Sequence, residues 1–249
     1  MPARLKLIIS YDGASFAGWQ SQAGGNAIQD HVEKAFARIC SKPVRVHGAG
    51  RTDAGVHAIA QCAHVDLPTR RYSAERWVAA LNGLLPPAIR IMRCRFVSEK
   101  FHARFSARGK IYRYRIWNAS VLPPFENGRA WHVRNCLDTE AIAAAAQRFI
   151  GTHNFASFAA NRGTPETDTV RTISAVTVRR GSSAISIQFE GNGFLYKMVR
   201  MMVGTTVRIG LGMADADEIT SRLKAPRKVN LRGRNAAPAG GLFLIRVRY

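Results

Sequence analysis

Along the 249 residues, the spacing of apolar positions switches between strand and helix periods in a regular order. Leu5, Leu7 and Ile9 fall at alternate positions, as one face of a strand requires. Asn26 can cap a helix whose apolar stripe is Ile28, Val32, Ala35 and Ile39. Val44 and Val46, after Pro43, mark a short strand, and a longer one runs over about residues 56–67. Ser73 can cap the next helix, with Ala74, Trp77, Val78 and Leu81 on one side. Ile89, Ile91 and Phe96 belong to a closing strand whose spacing departs from strict alternation. The second half repeats the order. Residues 111–117 read as a strand, and Asp138 caps a helix through Phe149 with Ile142, Ala145 and Phe149 inward. Residues 170–179 and 184–189 form strands around a Gly-Ser turn. Residues 194–209 read as a helix, a short helix follows near Asp217, and residues 242–249 form the last strand. Two successive β-α-β-β-α-β units predict an α+β fold of two ferredoxin-like, RRM-like halves with antiparallel sheets. The halves are placed at residues 1–104 and 105–249, with a basic cleft expected between them.

Charge sharpens this picture. The chain carries 37 Lys and Arg against 16 Asp and Glu, a formal net charge of +21. Such a balance calls for a polyanionic partner. The excess is clustered. No acid interrupts Lys100, Arg104, Arg108, Lys110, Arg113 and Arg115, and none follows Glu218, where Arg222, Lys224, Arg227, Lys228, Arg232 and Arg234 stand. The RNP1 signature of RRM modules is absent, so fold and charge alone point to RNA without naming an activity. The cysteines Cys40, Cys62, Cys94 and Cys136 form no CxxC pair, which argues against a zinc knuckle and reads them as small buried apolar residues. No apolar run approaches the ~20 residues of a membrane span, and the first apolar stretch reads as a strand rather than a secretion signal. A cytoplasmic protein is expected.

The sharpest local feature is Gly48-Ala49-Gly50-Arg51-Thr52-Asp53-Ala54-Gly55-Val56-His57-Ala58, between two predicted strands. Its glycines permit backbone angles and close approaches that a Cβ forbids. Arg51 offers a planar cation for phosphate or carboxylate. Asp53 has no acid near it in sequence and should be ionised. The residues alone leave two readings open: an ordinary turn in which Asp53 caps its own backbone, or a carboxylate placed as nucleophile or base. The stretch lacks the Gly-Lys-Ser/Thr of a P-loop. Asp53 and His57 are separated by the turn into a strand, so His57 reads as a structural hydrogen-bonding residue rather than a metal ligand.

This stretch resembles the catalytic motif of the tRNA pseudouridine synthase A family. Four further motifs resemble that family's, in its order. They are Tyr11-Asp12-Gly13 with Phe16, Gly18, Trp19 and Gln20; then Phe101-His102-Ala103-Arg104-Phe105-Ser106-Ala107 with Tyr112-Arg113-Tyr114. Phe194-Leu195-Tyr196-Lys197-Met198-Val199-Arg200 follows, and last Ala237-Pro238-Ala239-Gly240-Gly241-Leu242. The sequence departs from the family's common pattern at Met201, where Asn is usual, and at Asn235-Ala236, where Thr-Ala is.

The resemblance implies isomerisation of uridine to pseudouridine on the 3′ side of the tRNA anticodon stem-loop (nucleotides 38–40), by a homodimer and without cofactor or metal. It matches Asp53 to the catalytic carboxylate, Arg200 to the active-site arginine, Tyr112 to the active-site tyrosine and Leu242 to an apolar residue of the base pocket. Arg51, Lys197 and Arg104 join Tyr112 and Leu242 as expected substrate contacts. If residues 194–209 are one helix, Lys197, Arg200, Gly204 and Arg208 share a basic face and Leu195, Val199, Met202 and Ile209 a packing face. Against this stand a non-catalytic RNA-binding protein with two RRM-like units, a metal-dependent nuclease, and a synthase acting on ribosomal RNA.

Overall fold

The computed structural model describes residues 3–68, 70–160, 167–226 and 236–249. Arg227, Lys228, Arg232, Arg234 and Asn235 lie outside them. The chain divides into two compact units, Met1–Arg108 with Phe243–Tyr249, and Gly109–Leu242.

The first unit runs β1 (Ala3–Tyr11), α1 (Ile28–Cys40), β2 (Val46–Gly48), β3 (His57–Leu67), α2 (Ala74–Leu84) and β4 (Ile89–Val97). The strand order is β4-β1-β3, with β2 beside β3, and every pairing is antiparallel. Each helix therefore crosses over an intervening strand, the split β-α-β arrangement that the pattern predicts. Leu5, Leu7 and Ile9 are fully buried together with Ile28, Val32, Trp77 and Leu81. The uneven spacing in β4 has a local cause. Ile8 pairs with Arg93 and Ile9 with Ile91, so Met92 is an extra residue, a bulge that turns it outward and shifts burial to Cys94. The cap of α1 falls one residue later than predicted. Asp30 reaches back to the Ala27 N–H at 2.9 Å, while Asn26 bonds to the Ser15 carbonyl. Ser73 caps α2 as expected.

The last strand, β10 (Leu242–Arg248), runs parallel to the start of β3, with Phe243 opposite His57 and Leu244 opposite Ala58.

The second unit contains β5 (Gly109–Trp117), β6 (Trp131–His132), α3 (Thr139–Gln147), β7 (Gly151–Asn154), β8 (Val170–Arg180), β9 (Ala184–Gly191), α4 (Met198–Gly210) and α5 (Asp217–Lys224). Its sheet is β5-β9-β8-β7, all antiparallel, with β6 parallel to β5. The short β6 and β7 carry too few residues to show a period, and the pattern missed both. Asp138 accepts the Ala141 N–H at 2.9 Å and caps α3. Phe149, Phe155, Phe158 and Phe189 make the aromatic centre of this unit's core.

Helix α4 corrects the two-faced reading. It starts at Met198, and Lys197 stands before it in a left-handed conformation (φ 58°). Gly204 is buried, and so are all the other residues of the helix except Arg200 and Arg208. Ile142 of α3 fills the space a side chain at Gly210 would need, and Arg222 of α5 bonds to Thr205. A helix covered on several sides needs apolar residues all round. The cysteines also divide: Cys62 and Cys94 are buried, Cys40 is half-buried, and Cys136 is exposed rather than packed. Among the described residues no helix is long and apolar enough to cross a membrane.

Candidate active site

The glycine-rich loop of the first unit joins β2 to β3 and is braced from behind by the segment that follows β1. The Trp19 backbone N–H donates to the Thr52 carbonyl at 3.0 Å, and the Tyr11 and Thr52 hydroxyls share a hydrogen bond of 2.8 Å. Both aromatic rings are buried. Burial pushes the Tyr11 phenol well above its usual range, so it stays a neutral partner. Gly18 has φ +88°, and a Cβ on it would sit 2.5 Å from the Thr52 carbonyl oxygen and 2.9 Å from the Asp53 carbonyl carbon. A Cβ on Gly13 would strike the Val56 backbone, and one on Gly48 would strike the Trp19 indole. Gly13 and Gly18 let two stretches of backbone touch directly, and Gly48 makes room for the Trp19 ring.

Asp53 is half-buried within this frame. Its carbonyl accepts the Val56 N–H at 3.1 Å, closing a turn in which Gly55 takes φ +78°. His57, which follows, is buried. Its Nδ1 accepts the Gly13 N–H at 3.0 Å, Asp12 Oδ1 lies 3.1 Å from the same nitrogen, and its ring stacks on Phe243 at 4.6 Å. So His57 ties three segments of this unit together. Arg51 is exposed and donates Nε to Gln20 at 3.0 Å. Arg104, in the same unit, is exposed on a turn after β4.

In the second unit, β5 carries Tyr112 and Tyr114 on one face, both buried. Tyr112 meets Phe194 edge to face at 5.1 Å. Tyr114 donates its hydroxyl to the Pro238 carbonyl at 2.7 Å, and Gly241 is needed because a Cβ there would be 2.5 Å from the ring. Burial pushes the Tyr114 phenol upward, and the nearby Arg200 charge opposes the shift. Arg200 is half-buried on the first turn of α4. Its Nε donates to the Ala237 carbonyl at 2.7 Å, and its own carbonyl accepts the Ala237 N–H at 2.9 Å. The first bond turns the guanidinium towards Ala237, and the second ties the two backbones together. Tyr114, Arg200, the 237–241 segment and the buried Leu242 thus form one cluster in this unit. Lys197 packs its ammonium over the Tyr196 ring at 5.3 Å.

Not all of the clustered cations are offered to a partner. Arg222 is bound by Glu218 at 3.1 Å and by the Ser157 carbonyl, over the Phe158 ring. Arg115 pairs with Glu126 at 2.8 Å. Among the described residues no group of three His, Cys, Asp or Glu is placed to hold a metal ion. The bracing roles of Gly13, Gly18, Trp19 and Tyr114 are not visible in the sequence. For the first three, the available signal was the glycine and aromatic residues at positions 12–20, which follow β1 and belong to no element.

A family model described as tRNA pseudouridine synthase matches residues 7–106 and 145–249. Tyr112 falls between its two stretches, but the alignments with whole relatives run through it. The tRNA pseudouridine synthase A of Akkermansia muciniphila is 43% identical, covering 99% of this chain and 95% of the relative. That of Solidesulfovibrio magneticus is 44% identical, covering 99% and 91%, and that of Limosilactobacillus fermentum 41% identical, covering 99% and 96%.

Proposed function

This chain belongs to the tRNA pseudouridine synthase family, a family of isomerases, and from that premise we propose that it converts uridine to pseudouridine in tRNA with Asp53 as the catalytic carboxylate. The observation that carries the assignment of Asp53 is the brace behind its loop. Three glycines and two buried aromatics are arranged so that the backbone at 52–56 is held in one position, and catalytic groups need that precision. A turn that only linked two strands would not need such support.

The reaction breaks the bond between N1 of uracil and C1′ of the ribose, turns the base, and joins C5 to C1′. The proton leaves C5 and N1 is protonated, so no oxidant or energy source is consumed. Asp53 acts as the anion, by attack on C1′ or by removal of the 2′ proton. Arg200, oriented through Ala237, is the active-site cation. The Tyr112 ring stacks on the uracil, and Leu242 supplies apolar surface to the base. Arg51, Arg104 and Lys197 hold RNA, whose target base leaves the stack before it reacts. The proposed substrate is the anticodon stem-loop of tRNA, bound by a homodimer in the cytoplasm.

Asp53→Asn tests the proposal. It is nearly isosteric but supplies no anion. Single-turnover pseudouridine formation should vanish while tRNA affinity stays within a few-fold, because phosphate contacts supply most of the binding. Substantial turnover by Asp53→Asn would overturn the assignment. Lost binding would make Asp53 a structural residue of the loop.

A further inference from the structure

Residues 101–106 form a tight turn that uses its own polar groups to hold its shape. The Ser106 N–H donates to the His102 carbonyl at 2.9 Å, and the Ser106 hydroxyl accepts the His102 N–H at 3.0 Å. His102 Nδ1 accepts the N–H groups of Arg104 and Phe105 at 3.1 and 3.3 Å. The turn is also fastened to its surroundings. The buried Ala103 donates its N–H to His64 Nδ1 of β3 at 3.1 Å, and its carbonyl accepts the Tyr249 hydroxyl at 2.8 Å.

This fixed turn holds one large apolar side chain out in solvent: Phe105 is 77% exposed. The ring contributes little to the core, yet it is supported. The His102 ring lies 4.4 Å from it, and the Arg104 guanidinium is 5.6 Å from its centroid. The His102 ring in turn packs on His64 at 4.6 Å and on the exposed His47 at 5.9 Å. Burial holds the His102 and His64 imidazoles below their ordinary range, so both rings are neutral stacking surfaces at neutral pH. Lys100, Arg104 and Arg108 are all exposed around the turn, and Glu99 is the one exposed acid next to it in sequence.

We propose that Phe105, backed by His102 and flanked by Arg104, is a stacking platform for an unpaired base of RNA. A protein partner would want a contiguous apolar patch, whereas here a single ring stands among cations. That combination fits a nucleotide, which has a π-face for the ring and a phosphate for the guanidinium. The proposal rests on the tRNA reading above and adds a contact outside the residues that carry the chemistry.

The test uses the full chain and tRNA carrying the target uridine, with Phe105→Ala, Phe105→Leu, Phe105→Trp and Arg104→Ala. Phe105 is exposed, so thermal midpoints should match the wild type. Phe105→Ala should raise Kd for tRNA by about 5- to 150-fold, the loss of one stacked base. Phe105→Leu, still apolar but without a π-face, should fail to restore affinity, and Phe105→Trp should restore it. The salt dependence of binding should stay unchanged for the Phe105 variants and weaken for Arg104→Ala by about one phosphate. Normal affinity for Phe105→Leu would overturn the platform. So would a change in sedimentation of Phe105→Ala, which would assign the ring to a protein interface. If the wild type made no pseudouridine, the functional reading would fail with it. Wild-type turnover combined with normal Phe105→Ala affinity would overturn the platform alone.

Discussion

Gly18→Ala should cripple the Asp53 loop without touching any group that reacts. At Gly18 the backbone has φ +88°, and an alanine Cβ would lie 2.5 Å from the Thr52 carbonyl oxygen, 2.9 Å from the Asp53 carbonyl carbon and 3.0 Å from the Ala54 nitrogen. Those atoms are backbone, which cannot swing aside as the end of a long side chain can. A left-handed conformation costs a non-glycine residue roughly 1–2 kcal/mol, and forced overpacking adds roughly 1–3 kcal/mol. Together they come to about 2–5 kcal/mol. For a chain of this length that corresponds to a fall in Tm of roughly 4–20 °C, at about 2–4 °C per kcal/mol. The displacement lands on the residue that carries the carboxylate, and a shift of ~1 Å can cost ~100-fold in rate. Single-turnover pseudouridine formation at saturating tRNA, below the variant's Tm, measures the effect. Gly24→Ala is the control, since a Cβ there meets no heavy atom within 4 Å. A Gly18→Ala protein with wild-type Tm and a rate within a few-fold of normal would refute the brace. Equal damage from Gly24→Ala would show that the effect is not specific to the contact.

Tyr112→Phe keeps the edge contact with Phe194 and should retain most of the rate, whereas Tyr112→Leu should lose the ~1–3 kcal/mol of base stacking. A loss of ~10²–10⁴ in Tyr112→Phe would instead give the hydroxyl a part in proton transfer. Acid should destabilise the first unit through His64, whose pKa falls from 6.5 to about 4, chiefly by burial and then by the Arg4 charge. The unfolded chain takes up this proton at higher pH than the folded one. Stability is therefore full above about pH 6.5 and is lost as pH falls towards 4, by on the order of 1–3 kcal/mol. Thermal melts across that window should show the slope, and His64→Gln should flatten it. Affinity for tRNA should drop steeply with salt, log K falling by roughly 0.7–0.9 per phosphate neutralised for each tenfold rise in salt. Replacing Arg232 and Arg234 together should lower that slope, and a flat dependence would contradict the electrostatic reading.

Period and capping chemistry made the regular elements legible. Leu5, Leu7 and Ile9 in β1, Ser73 before α2 and Asp138 before α3 occupy the positions that local sequence implies. These depend on interactions within a few residues, and so does the order β-α-β-β-α-β of the first unit. The charge of +21 and the lone Asp53 among glycines could likewise be read directly. The tertiary structure decided what local pattern could not. Lys197, Arg200, Gly204 and Arg208 suggested a basic helix face, but the helix starts after Lys197, Gly204 is buried with most of α4, and Arg200 and Arg208 alone of its residues stay partly exposed. Met92 broke an alternation because the partner strand has one residue fewer at that point. Arg222 counted as a cation for RNA, yet it is bound by Glu218 and Ser157. The glycines at 13 and 18 gained meaning only when the Asp53 loop was found against their backbone. The partners that decide Met92, Gly13 and Gly18 are distant in the chain, and the spacing of residues carries no record of them; for Arg222, Glu218 lies one turn away on the same helix, and only the Ser157 carbonyl comes from elsewhere.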